Sequence, residues 1–268
     1  MPHGDVSGIN RALKRATDVA ASTVGLLLAS PFLLIACLAI WLEDRHSPFY
    51  VASRVGRAGR PFRTVKLRSM VVRADRTGVA STAQDDPRIT RVGRVLRRFK
   101  LDECSQLWNV LRGDMSMVGP RPQVAQDVRL YTALERHLLD APPGITDFAS
   151  IVFADEGAIL EGSADPDLSY NQIIRPWKSR LGLHYIAHRS LWLDIRLMAA
   201  TVLVALSRAR ALAWVAEMLA ETGADPVLTA VARRDAPLFA AAPPGATEVV
   251  QSRAPAVEVG PWRPAPRL

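Results

Sequence analysis

Two adjacent carboxylates, Asp102 and Glu103, follow a run of cations that ends at Lys100. Acidic residues are common in a first helical turn, where they complement the dipole, so an ordinary helix start accounts for this spacing by itself. The chemical alternative is a carboxylate kept ionised, its pKa lowered by positive neighbours. Such a group can attack phosphorus as a nucleophile or hold a divalent cation. Between Arg54 and Lys100 stand fourteen lysines and arginines, opposed only by Asp75, Asp85 and Asp86. The plain reading is a face that is solvated or rests on anionic headgroups. The sharper one is a phosphate or diphosphate site, with guanidiniums as forked donors. Lys66, Arg68, Arg88 and Arg97 are its candidates from this stretch. Beyond it, Pro120 and Pro122 bracket Arg121 and stiffen the backbone that carries it, either as an exposed turn or as a phosphate clamp.

These residues need elements to position them. Tyr50-Val51 and Phe62 to Leu67 read as short strands around the turn Gly56 to Pro61. Asp86-Pro87 is expected to open a helix that carries Ile89, Val92, Val95, Leu96 and Phe99 at helical spacing. A second helix begins near Asp102 and stops at Gly113, and Pro142-Pro143-Gly144 is a turn. Val71 to Gln84 reads as a polar stretch of small residues, with Val72 to Gln84 a candidate lid over a ligand. Leu191 to Leu219 reads as an amphipathic helix lying on a surface.

Ahead of all of these lies Val19 to Leu42, 24 residues without a charge and with Ser30-Pro31 at the centre. That is long enough to cross a bilayer as a helix. The proline removes one backbone donor, and the Ser30 hydroxyl can answer a freed carbonyl. Two readings remain: a kinked span, or a segment that dips in and leaves by the face it entered. Arg11, Lys14 and Arg15 on one side, and Arg45, Arg54 and Arg57 on the other, favour the second, since positive charge on both flanks gives no inside/outside asymmetry. A cleaved leader is disfavoured by the length of the run.

The chain has 268 residues, 49% of them hydrophobic, and a formal net charge of +8, so one core with appendages is expected, with anionic partners. Anionic lipid and phosphorylated small molecules suit the membrane segment better than nucleic acid does. The two cysteines, Cys37 and Cys104, make no metal or disulfide framework. The expected organisation is a basic lead-in over 1–15, a membrane segment over 16–42, a soluble folded domain over 43–207, a helical extension over 208–221 and a disordered tail rich in Ala, Pro and Arg over 222–268.

The order of these features resembles the bacterial sugar transferase family, the monotopic phosphoglycosyl transferases. The matching segments are Ser30-Pro31, Lys66 to Met70, Asp86 to Gly93, Leu101-Asp102-Glu103, the long block from Gln106 to Pro122, and Pro143 to Thr146. The resemblance covers about residues 10 to 207. It implies an α+β, mainly helical protein: a re-entrant helix-break-helix in the membrane, and a small cytoplasmic domain with short strands and surface amphipathic helices. It implies that Asp102 attacks the sugar-bearing phosphorus of a nucleotide diphosphosugar, usually a uridine one. Polyprenyl phosphate then takes the phosphosugar from the aspartate. Glu103 completes the dyad, and Mg2+ sits with Asp102 and Glu103. The implied partners are the donor, the polyprenyl phosphate and the bilayer, with no nucleic acid; the implied location is the cytoplasmic face of a bacterial inner membrane. The sugar, the glycan pathway and the oligomeric state are not implied.

Two positions depart from the family pattern. Ala154 stands where relatives commonly carry an arginine, and Ala187 where many carry an acid. Ala154 keeps open a family member that acts as a scaffold without turnover, and the basic stretch keeps open a membrane-anchored protein that binds anionic lipid or nucleic acid without catalysis.

Overall fold

The structure, a computed structural model, describes residues 8–74 and 85–252. Most of the loop expected over 72–84 lies outside the described residues, as do residues 1–7 of the lead-in and the last part of the tail. The architecture is α+β and mainly helical, with two small two-stranded sheets.

Helix α1 (Gly8–Asp44) is long and apolar enough to cross a membrane. It stays helical through Pro31. Proline there leaves the carbonyl of Leu27 without its usual donor, and the Ser30 hydroxyl donates to that oxygen at 2.8 Å. The expected break is therefore the loss of one backbone hydrogen bond, with the helix continuous across it.

Strands β1 (Phe49–Val55) and β2 (Pro61–Leu67) form the expected hairpin, antiparallel with Val51 opposite Val65. Helix α2 (Arg91–Arg98) starts later than Asp86-Pro87 indicates. Asp86 spends its carboxylate on the backbone and guanidinium of Arg88, both at 2.9 Å, and so forms a turn. Thr90 caps the helix instead, accepting from the Gly93 amide at 2.9 Å. A Cβ on Gly93 would meet the Ser69 carbonyl at 1.9 Å, so only glycine lets α2 lie on that backbone.

Helices α3 (Leu101–Cys104) and α4 (Leu107–Arg112) follow as one run of helical turns that ends at Gly113 with φ 88°. The Ser105 hydroxyl donates to the Val65 carbonyl at 3.0 Å. Asn109 accepts from the Val65 amide at 3.1 Å and donates to the Arg63 carbonyl at 2.7 Å. These bonds fix the run on β2. Strand β3 (Ser116–Val118) pairs in parallel with β4 (Gly144–Thr146), with the short α5 (Ala125–Arg129) between them in sequence.

The main core is built by α6 (Phe148–Val152), α9 (Arg175–His188), α10 (Leu191–Leu206), α11 (Arg208–Glu221) and α12 (Pro226–Arg233); α7 (Glu156–Ile159) and α8 (Pro166–Ser169) lie between the first two of these. Phe148, Val152, Leu181, Leu197, Val215 and Leu219 are fully buried in it.

Two expectations need correction here. The single surface helix over 191–219 is two helices parted at Ser207. Only the first keeps an exposed apolar face, with Trp192, Val202 and Leu206 in the open, whereas α11 buries Ala211, Val215 and Leu219 in the core. The tail expected to be disordered is folded through residue 252. Asp225 caps α12, whose Leu228, Val231 and Ala232 are buried. The chain after it returns over α9, where the Trp177 indole donates to the Phe239 carbonyl at 3.1 Å and Arg180 to the Ala242 carbonyl at 2.9 Å. Sparse large apolar anchors in an Ala- and Pro-rich sequence suffice when a groove already awaits them.

Helix α1 is tied to this body at both ends. Near its start the Lys14 ammonium meets Asp194 at 2.7 Å, Arg15 donates to the Val110 and Leu111 carbonyls, and Asp18 accepts from the Ser116 hydroxyl and the Met117 amide, each at 3.0 Å. At its end Asp44 pairs with Arg68, Glu43 accepts from the Arg91 amide at 3.0 Å, and Ala36 and Ile40 pack on Leu67 and Leu96. The face between is bare: Leu27, Leu28, Leu34 and Ile35 are each about 70% exposed.

Candidate active site

The run α3–α4, pinned to β2 by Ser105 and Asn109, sets Asp102 and Glu103 beside the middle of that strand. Lys66 on β2 then reaches the Glu103 carboxylate at 2.9 Å. Arg121 comes from the turn after β3. A Cβ on Gly119 would meet the Pro142 carbonyl at 2.3 Å, and one on Gly144 the Gly119 amide at 2.1 Å. That close approach locks Pro120-Arg121-Pro122 against β4. Arg121 grips Glu103 with both arms, one at 2.9 Å.

The two acids are shifted in opposite directions. Burial pushes the Glu103 carboxyl up, but the Arg121 guanidinium and the Lys66 ammonium outweigh it and hold it well below the usual range. The same pairing raises Arg121, through the Glu103 charge, while burial lowers Lys66. Asp102 goes the other way. Burial raises its carboxyl and the Glu103 charge adds to this, against the pull of Lys66, Arg97 and Lys100. The expectation that positive neighbours lower the pKa therefore holds for Glu103 and not for Asp102. Asp102 is 8% exposed, and its Oδ1 is buried without a hydrogen-bond partner. A buried carboxylate oxygen left open is costly, and it is the state a nucleophile or a metal ligand requires.

Of the five candidate phosphate-binding cations, Lys66, Arg97 and Arg121 gather around this pair. Arg97 donates to the Ser69 hydroxyl at 3.1 Å and raises the positive potential at both acids. Arg68 does not join them. It is nearly buried against Asp44 and the Ser47 carbonyl, where it holds the end of α1. Arg88 is engaged with Asp86 and the Ala74 carbonyl. Ser30 and Pro31 lie on α1 as expected. Ala154 offers its carbonyl to Lys100 at 3.3 Å, and the neighbouring Glu156 pairs with Lys178. Ala187 is exposed near the end of α9.

For the magnesium ion, Asp102 Oδ1 has an open lone pair, while Arg121 and Lys66 engage the oxygens of Glu103. Among the described residues no cluster of three or more His, Cys, Asp or Glu side chains is placed to hold a metal. Magnesium is commonly bound by one or two carboxylates together with substrate phosphates, and Asp102 fits that pattern.

Sequence reasoning did not single out Gln106, which follows the acid pair on the same run of turns. It is 2% exposed, and its Nε2 is also buried without a partner. Its spacing of four from Asp102 was the available signal.

An acid pair on a short helix, one member paired with cations from a strand and a Pro-Arg-Pro turn and the other left open, makes a site suited to anionic ligands, in a chain that also carries a helix long and apolar enough to cross a membrane. Residues 9–208 match the family described as bacterial sugar transferase, and the chain belongs to that family. It is 38% identical over 204 residues to the UDP-glucose:undecaprenyl-phosphate glucose-1-phosphate transferase of Escherichia coli, covering 74% of this chain and 41% of that one. Over 192 residues it is 38% identical to the protein of the same description from Caulobacter vibrioides, covering 70% and 68%. It is 32% identical over 221 residues to the exopolysaccharide production protein ExoY of Sinorhizobium fredii, covering 76% and 91%. The chain thus spans less than half the length of the first of these relatives.

Proposed function

We propose that the protein transfers a sugar-1-phosphate from a uridine diphosphosugar to a polyprenyl phosphate such as undecaprenyl phosphate, with release of uridine monophosphate. The observation that carries this reading is Asp102, buried, with an open oxygen, beside a Glu103 paired with both Lys66 and Arg121. An Asp102 oxygen attacks the phosphorus that bears the sugar. The new P–O bond forms as the bond to the nucleoside monophosphate breaks, and that group leaves as a stable phosphate anion without needing a proton. A phosphate oxygen of the polyprenyl phosphate then attacks the same phosphorus, and Asp102 departs as a carboxylate. Two displacements divide one difficult encounter between anions.

Glu103 acts here as a fixed negative point that orients Lys66 and Arg121 toward the donor phosphates. It also raises the basicity of Asp102 next door. Arg97 adds positive potential over the transferring group. A magnesium ion, when held by Asp102 and the donor phosphates, supplies further charge neutralisation there.

The membrane reading is monotopic. A helix that crosses a bilayer leaves its ends on opposite faces, about 30 Å apart. The fact that Lys14, Asp18, Glu43 and Asp44 all bind one folded body supports a re-entrant α1, its bare face in the lipid and Ser30-Pro31 at its deepest point. The folded body then sits on the cytoplasmic face of the bacterial inner membrane, where the soluble donor and the lipid phosphate meet. The names of the relatives favour an early membrane step of exopolysaccharide or related glycan assembly.

The test is release of uridine monophosphate from a panel of uridine diphosphosugars by purified protein with magnesium and undecaprenyl phosphate. Release from one donor, lost in Asp102→Asn, supports the reaction and names the sugar. Silence across the panel from folded, membrane-bound protein favours the scaffold reading and turns attention to Ala154.

A further inference from the structure

Among the described residues, the side chains with a buried polar atom lacking a hydrogen-bond partner are Asp102, Gln106 and Arg208. Arg208 lies 2.8 Å from the Asp155 carboxylate and is paired in charge. That leaves an acceptor, Asp102 Oδ1, and a donor, Gln106 Nε2. Ser105 and Gln106 have φ/ψ of −65°/−16° and −67°/−17°, so the backbone turns helically from one to the other. Residues four apart on such a run share a face. The backbone of Gln106 is already spent: its amide donates to Glu103 at 2.9 Å and its carbonyl accepts from Val110 at 3.1 Å. On either side Ser105 and Leu107 are structural, one bonded to β2 and the other packed against Gly25 of α1. Only the Gln106 amide end has no architectural use. Folding it away without a partner weakens the protein, so a group that arrives later is the natural explanation.

We propose that Gln106 is a further residue of the site, whose amide N–H hydrogen-bonds a non-bridging oxygen of the phosphoryl group as that group is carried on and off Asp102. This rests on Asp102 being the nucleophile. The role suits a neutral donor. A cation one turn from Asp102 would pair with it permanently, as Lys66 and Arg121 do with Glu103, and would lower its nucleophilicity. An amide leaves the carboxylate basic and acts when charge builds up on the phosphoryl oxygens. Because the same phosphoryl group passes through both half-reactions, Gln106 serves both.

The test compares Gln106→Met, which keeps length and removes the donor, with the wild type and with Gln106→Leu as a second apolar variant. Three quantities are read: uridine monophosphate release in a single turnover without acceptor, the inhibition constant for uridine diphosphate, and the thermal midpoint. The expected result is release slowed about a hundredfold, the loss seen when one preorganised donor is removed. The midpoint is unchanged or higher, since an unpaired buried donor has gone, and inhibition by uridine diphosphate moves less than threefold. Release within threefold of wild type in both variants overturns the proposal. So does a loss of release that follows a matching drop in midpoint, which is the mark of a merely structural residue. A wild type that releases nothing from any donor, while folded, overturns the reading of Asp102 itself and this proposal with it.

Discussion

The acid pair of the site and the polar cluster at the foot of α1 use the same kinds of residue at similar depth. At the foot, Asp194 is 3% exposed and Asp18 is 6% exposed. Asp194 takes the Lys14 ammonium on one oxygen and the Tyr185 hydroxyl on the other, both at 2.7 Å, while Asp18 takes two donors from β3. Burial still pushes the Asp194 carboxyl up, against the pull of the Lys14 ammonium and the Tyr185 hydroxyl. At the site Glu103 is treated in the same way, yet Asp102 and Gln106 are left incomplete. The difference separates two uses of buried polarity. A satisfied network fixes one arrangement of parts. An unsatisfied pair costs stability and holds a place for a substrate.

The comparison breaks most sharply at Asp102. Asp102→Asn is expected to lower turnover by about 10⁴-fold or more, as for removal of a catalytic nucleophile, while the thermal midpoint stays or rises. A midpoint that falls would place Asp102 with the foot cluster. Asp194→Asn, by contrast, leaves Lys14 with a weaker partner and is expected to cost about 3 kcal/mol in unfolding. The double change Lys14→Met with Asp194→Leu should cost less than either single change, and additive losses in denaturant titrations would contradict the ion-pair account. Arg121→Lys keeps the charge and loses the fork on Glu103, with an expected fall in turnover of roughly 10- to 100-fold. An unchanged rate would make the Pro-Arg-Pro turn purely architectural.

Acid pH should separate the two acids further. Asp102, raised by burial, protonates at a higher pH than an ordinary aspartate, so the acid limb of the rate profile belongs to it. Its charge opposes folding, and that opposition appears as pH rises through its folded pKa. Glu103 is depressed; it stabilises the fold above its unfolded pKa, and this contribution is lost as pH falls through the lower folded value. Activity should therefore fail on acidification before the fold does. Simultaneous loss in parallel assays of rate and circular dichroism would contradict this. The smallest effect is expected at Ser30→Ala, about 1 kcal/mol, since one hydroxyl answers one carbonyl.

Much of this was legible in the residues. The hairpin, the stop at Gly113 and the apolar run follow from local rules. The gathering of Lys66 and Arg121 on Glu103 required the family pattern, because it joins a strand, a helix and a turn far apart in sequence. What failed was context. Asp-Pro opens helices at Asp165-Pro166 and Asp225-Pro226, where the carboxylate caps the first turn. At Asp86-Pro87 an arginine two residues on captures it. Arg68 read as a phosphate ligand because nothing local shows that Asp44 waits at the end of α1. The direction of the Asp102 shift was missed because burial, which no spacing reveals, outweighs the nearby cations.

The measurement that tests the central claim most directly is a search for the covalent intermediate. Wild-type protein in membrane or detergent is mixed with its uridine diphosphosugar and magnesium, without acceptor, and quenched. Cleavage after Lys100 and Arg112 leaves Asp102 within a single peptide, Leu101 to Arg112. The account predicts that this peptide gains the mass of one phosphosugar, that undecaprenyl phosphate removes the gain, and that Asp102→Asn never acquires it. Uridine monophosphate released with acceptor present, but with no adduct on this peptide at any quench time, would mean direct transfer and would contradict the role given to Asp102.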